Sequence, residues 1–178
     1  PLYGFQDLFT NDKAPDSLLI ETGISNLKFI SSAGDNPGSA NIDSERVKKI
    51  IAFIKKIDAD TVILDLGPGT SFNVLDFFNI SSKGIIMSSP ETTSVMKTFS
   101  FIRSALFRRL SKKLKNLSAL QKLVDYSKLS KNDLETYTLA TLRENIKKVD
   151  ETQIKKLDEI VNEFKPAIII NRVRSKKD

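Results

Sequence analysis

The chain has no cysteine, no histidine and no tryptophan. Without cysteine there are no disulfides and no thiolate metal sites. Without histidine, serine–histidine relays and imidazole-bound metals are excluded too. Chemistry is left to carboxylates, lysines, hydroxyls and backbone amides. Long apolar runs are also missing: a stretch such as Ala167 to Ile170 falls far short of the roughly 20 residues that span a bilayer. The amino terminus shows no signal-peptide pattern, so a cytoplasmic location is the default expectation.

What is present suits one soluble globular domain over residues 1–178, with 40% hydrophobic and 28% charged side chains and enough apolar mass to bury a core. The net charge of +6 is unevenly placed. Between Glu91 and Asp125 lie Lys97, Arg103, Arg108, Arg109, Lys112, Lys113, Lys115 and Lys122 with no acidic residue among them, and the remainder is slightly acidic.

Along the chain, Leu27 to Ser31 reads as a short buried strand, followed by a loop rich in Gly, Asn and Pro from Ser32 to Asn41. From Asp43, a good N-cap, Val47, Ile50, Ile51, Ile54 and Ile57 recur at helical spacing against a basic opposite face. Thr61 to Leu66 is a β-branched run without alternation, the pattern of a strand buried on both faces of a parallel sheet. A short helix is expected over Phe72 to Phe78 and a second buried strand over Gly84 to Met87. A long helix capped by Thr93 or Ser94 follows, with Val95, Phe99, Ile102, Leu106 and Leu110 on one side. From Leu117 to Phe164 the pattern is helical, with breaks near Ser127 to Lys131 and near Asp150, and 117–150 reads as a helical insert. Pro166 stops the last helix before a strand over Ala167 to Ile170. Strands separated by helices predict an α/β fold, a parallel sheet flanked by helices.

In such folds ligands bind beyond the carboxyl ends of the strands. Three expected strands end in polar loops: Asp65 to Ser71 (DLGPGTS), Ser88 to Ser94 (SSPETTS) and Asn171 to Arg174 (NRVR). An aspartate ending a buried strand before Gly67-Pro68-Gly69 is the arrangement that holds Mg²⁺ through water while glycine amides approach a terminal phosphate. Equally, Asp65 could cap the next helix and the glycines could make a tight turn. On the residues alone the two readings stand level.

The stretch from Ala59 to Phe78 (ADTVILDLGPGTSFNVLDFF), then Pro90 to Ser94 and Phe101 to Leu106 (FIRSAL), resembles the ParA/MinD-type P-loop ATPases, as do Glu21 to Ser31 and Ile168 to Asp178. The resemblance implies that Asp65 is the Walker B aspartate ordering Mg²⁺ and its water. It implies that Gly67 to Gly69 form the switch sensing the γ-phosphate, that Asn171 bonds adenine beside Arg172, and that Pro90 and Glu91 border the base or the dimer face. It further implies an ATP-binding, ATP-hydrolysing homodimeric switch in positioning or partitioning: chromosome or plasmid partition, division-site placement or flagellar positioning. The sequence departs from the family in one respect. No GxxxxGK[ST] loop or lysine-signature variant occurs, although Leu2 to Phe5 is similar to the family's sequence just beyond that loop. The chain is therefore expected to be the carboxyl-terminal two thirds of such a domain, with the first strand missing, to bind no ATP or Mg²⁺ of its own and to be inactive alone.

The basic helix supports another reading. Arg103, Arg108, Arg109, Lys112, Lys113 and Lys115 recur every few residues and are available to the phosphates of DNA or of an anionic membrane, which would place the protein at the nucleoid or the membrane periphery. In that case the chain is a non-catalytic remnant of the fold that binds protein or nucleic acid. Alternatively the helix is a solvated face whose charge is met internally, by acids such as Asp133, Glu135 and Glu144.

Overall fold

A computed structural model of the chain describes residues 15–31, 43–81, 83–114, 123 and 137–174. It divides into two compact units, 1–65 and 66–178.

In the first unit a 3₁₀ turn over Pro15–Leu18 leads into two short antiparallel strands, β1 (Ile20–Glu21) and β2 (Lys28–Phe29), in the register Ile20↔Phe29 and Glu21↔Lys28. Thr22 closes the connection: its hydroxyl accepts from the Ile24 amide at 3.2 Å and donates to the Leu27 carbonyl at 2.7 Å. Asn26 takes a left-handed φ of 62°, which asparagine tolerates better than most side chains. Helix α1 (Ser44–Ile54) starts where Asp43 accepts from the amides of Glu45 and Arg46, as the sequence predicts, and buries Val47, Ile50, Phe53 and Ile54.

Two expectations for this unit need correction. The strand at Leu27 to Ser31 is reduced to Lys28–Phe29, and both residues are exposed rather than buried. Thr61 to Leu66 forms no strand, and Ile63 is 87% exposed. A β-branched run is only a strand when another strand takes up its backbone groups, and among the described residues none pairs with this one.

The second unit is mixed α/β. Helix α2 (Phe72–Phe78) is followed by strand β3 (Ile85–Ser88) and the long helix α3 (Thr92–Lys113). After it come α4 (Leu139–Asp150), a 3₁₀ turn over Glu151–Gln153, α5 (Ile154–Glu163) and strand β4 (Ala167–Ile170). The break expected near Asp150 is there: its carboxylate accepts from the Thr152 amide and turns the chain between α4 and α5. The break expected near Ser127 to Lys131 lies outside the described residues, as does most of the region 117–138.

Strands β3 and β4 pair in parallel, Ile85↔Ala167 through Ser88↔Ile170. The ladder is extended at both ends by Ala167 N–H to Gly84 O at 2.9 Å and Asn171 N–H to Ser88 O at 2.7 Å. Partners in register share a face, so Ile85, Ala167, Met87 and Ile169 lie on one side and Ile86, Ile168, Ser88 and Ile170 on the other. On the second side β3 is covered, with Ile86 and Ser88 buried, whereas all of β4, Ile168 and Ile170 included, is exposed, so neither strand is buried on both faces, the pattern expected of Gly84 to Met87. Ile86 is buried with Leu75, Phe78 and Ala105, and Leu66, Phe101, Ile102 and Phe164 pack around them. Phe78 meets Phe101 edge to face, with ring centroids 4.9 Å apart. Gly84 is needed where the chain passes that ring, because a Cβ there would come within 2.4 Å of Phe78.

A second apolar cluster joins the carboxyl half of α3 to α4 and α5 through Leu106, Phe107, Leu110, Leu114, Leu142, Ile146, Leu157 and Ile160. Val95 and Phe99, expected on the same buried side of α3, are instead 48% and 65% exposed. Near its start the helix meets β3 through hydroxyls, and its apolar contacts begin at Phe101. None of the described helices is long and apolar enough to cross a membrane.

Leu142 is completely buried among helices. Leu142→Ala is expected to lower unfolding stability by about 2–5 kcal/mol. Lys147→Ala, which removes only an exposed pair with Glu151, should stay within about 0.5 kcal/mol. Urea unfolding followed by circular dichroism measures both.

Candidate functional site

Parallel pairing of β3 and β4 puts their carboxyl ends side by side, so Ser88 to Glu91 and Asn171 to Arg172 share one edge of the sheet. A hydroxyl network fastens this edge to α3. Thr98 Oγ1 donates to Ser88 Oγ at 3.0 Å, Ser88 Oγ and Ser94 Oγ lie 3.0 Å apart, and the Ser89 amide donates to Ser94 Oγ at 3.0 Å. Ser94 is therefore occupied by the strand end and does not cap the helix. The N-cap is Glu91, whose side chain accepts no capping hydrogen bond. The first amides of α3 thus face the edge with no side-chain acceptor from the cap, and its positive end is turned the same way.

Across from it, the Asn171 side-chain oxygen accepts from the Arg172 amide at 2.8 Å, and Arg172 adopts a left-handed φ of 59°. A non-glycine residue held there costs roughly 1–2 kcal/mol. Both residues are exposed, as is Glu91, while Pro90 is half-buried. Expected contacts to a base, Pro90, Glu91, Asn171 and Arg172, are therefore gathered at one edge. The edge carries the first amides of α3, the Arg172 guanidinium and the Glu91 carboxylate, while the Ser88, Ser94 and Thr98 hydroxyls are bonded among themselves.

The Gly67-Pro68-Gly69 segment is exposed and open, with nothing within 4 Å of a Cβ built on either glycine. Gly69 takes φ +108°, where side chains are strained. The following helix is capped by Ser71, whose hydroxyl accepts from the Val74 amide at 3.4 Å. Capping is therefore not the task of Asp65, while the turn expected at the glycines is kept, with Gly69 at its positive φ. Asp65 is exposed and closes the first unit. Among the described residues no group of three acidic side chains could hold a metal, but magnesium ordered through water by one carboxylate needs no such group.

The basic helix is wired into the fold. Arg108 donates to both oxygens of Asp76, at 2.7 and 2.8 Å, and Lys112 reaches the same carboxylate at 2.8 Å. The Arg108 guanidinium also lies 4.4 Å from the centre of the Phe72 ring. Arg109 and Lys113 both engage Glu163 of α5, and Arg103 donates to the Tyr137 carbonyl at 2.9 Å. The counter-charges are thus Asp76 and Glu163. Of the acids expected in that role, Asp133 and Glu135 lie outside the described residues, as does Lys115 on the basic side.

Burial works to raise the Asp76 carboxyl, but the hydrogen bonds and charges of Arg108 and Lys112 outweigh it and hold the group below its ordinary value. Glu163 is likewise lowered, chiefly by the Lys113 hydrogen bond. Sequence reasoning missed Asp76, although a lone carboxylate in the FNVLDFF helix, apolar apart from it and Asn73 and upstream of a run of cations, was a usable signal.

No protein-family model, no curated protein and no solved structure matches the chain.

Two outcomes are expected. A carboxylate whose folded pKa is depressed adds stability above its unfolded pKa, near pH 4, and loses it as pH falls through the folded value. Asp76→Asn should therefore lower stability by about 1.5–3 kcal/mol at pH 7. The gap to the unmodified chain should close only below about pH 4, which urea titrations across pH 2–7 would show. Secondly, Gly69→Ala should cost roughly 1–2 kcal/mol from its backbone conformation, whereas Gly67→Ala, in open space and without a positive φ, should be close to neutral by the same measurement.

Proposed function

We propose that the chain is part of a nucleotide-dependent molecular switch of the ParA/MinD type, in which ATP binding and hydrolysis alternate two states with different affinities for a partner or a surface. In this reading Asp65 orders Mg²⁺ through water, Gly67 to Gly69 approach the terminal phosphate, and Asn171 with Arg172, Pro90 and Glu91 receives the base. The parent protein is a cytoplasmic homodimer acting in partitioning or positioning. The observation that carries the reading is the shared strand-end edge, where Ser88 to Glu91 and Asn171 to Arg172 meet beside the start of a helix. That is where doubly wound folds take ligands. The glycine-lysine phosphate loop does not occur in the sequence, so the chain alone supplies the weaker contacts only.

A second reading keeps the fold without the chemistry and gives the basic helix to a polyanion, either DNA or an anionic membrane. What favours it is stoichiometry: among the described residues Arg108, Arg109, Lys112 and Lys113 share two carboxylates, so part of their charge is uncompensated there.

Titration with Mg-ATP is expected to show no saturable heat at micromolar concentrations and no hydrolysis. At millimolar nucleotide, amide resonances of Gly67 to Gly69, Thr92 to Ser94 and Asn171 to Arg172 should shift. Submicromolar binding, or shifts confined to other segments, would overturn the assignment of the site.

For the second reading, the internal pairs limit the helix to one or two phosphates. Affinity for duplex DNA should then fall with salt at a log–log slope no steeper than about −1.8, taking −0.9 per phosphate, with little dependence on sequence. A slope of about −3.6 or steeper in gel-shift or anisotropy titrations would mean that the ion pairs open on DNA and that all four cations engage phosphate, and no retardation at low salt would overturn this reading.

A further inference from the structure

We draw no further inference here: the strongest candidate, the open face of the β3–β4 sheet that carries Ile85, Met87 and Ile169, carries nothing because nothing in the structure shows what covers it.

Discussion

Helix α3 has to be buried on two sides at once, and the second unit is arranged around that requirement. One side presents Phe101, Ile102 and Ala105 to the cluster of α2 and β3, while the other carries Leu106, Phe107 and Leu110 into the cluster of α4 and α5. Neither cluster could form elsewhere without stripping the helix of half its apolar contacts. Charge follows the same geometry. Arg108 and Lys112 project from α3 onto Asp76 of α2, and Arg109 and Lys113 onto Glu163 of α5. Consecutive arginines thus fasten neighbours on different sides of one helix. The Asp76 contact matters most for α2, because a carboxylate left buried without its cations would cost several kcal/mol.

The candidate site inherits its order from this scaffold. With α2 clamped to α3, the loop that ends at Ser71 is anchored at its carboxyl end, and Gly69 supplies the one backbone conformation in it that a side chain would strain. With α3 hydrogen-bonded to Ser88 and Ser89, its amino terminus is fixed against the end of β3. With β4 in register beside β3, Asn171 arrives at the same edge. The hydroxyl network and the backbone ladder thus converge on the polar rim of the sheet, whereas the ion pair holds α2 at Arg108, sixteen residues along α3 from its start.

Much of this was legible where local chemistry decides the outcome. Asp43 before its helix, the bounds of the helix at Phe72 to Phe78, and Pro166 ahead of AIII are all kept by the structure, although the cap of the second helix is Ser71 and not Asp65. The start of α3 was less legible. Ser94 is a good capping residue in isolation, but its hydroxyl is claimed by Ser89 and Ser88, and the helix begins earlier at Thr92. Thr61 to Leu66 was misread because apolar content and β-branching record a preference, whereas a strand also needs a neighbour. The salt bridge of Asp76 to Arg108 spans 32 residues, and no spacing rule along one helix reaches that far. Only the oddity of one acid in an apolar helix hinted at it.

The same ion pairs bear on what the basic helix can do. A cation serves a phosphate best when it gives up only water to reach it. Arg108 would have to give up a bidentate carboxylate and a position over the Phe72 ring, and Asp76 would be left with Lys112 alone. Arg109 is almost entirely enclosed and shares Glu163 with Lys113. Lys112 and Lys113, each close to half exposed, keep more freedom to reach outward without dismantling the packing. The strongly basic stretch is therefore chiefly an internal fastening with a modest residual field. In contrast, the exposed side chains of Glu91 and Arg172 at the strand-end edge take no part in the described ion pairs. By this measure Arg172 and the uncapped start of α3 have less to give up than the helix that dominates the charge of the sequence.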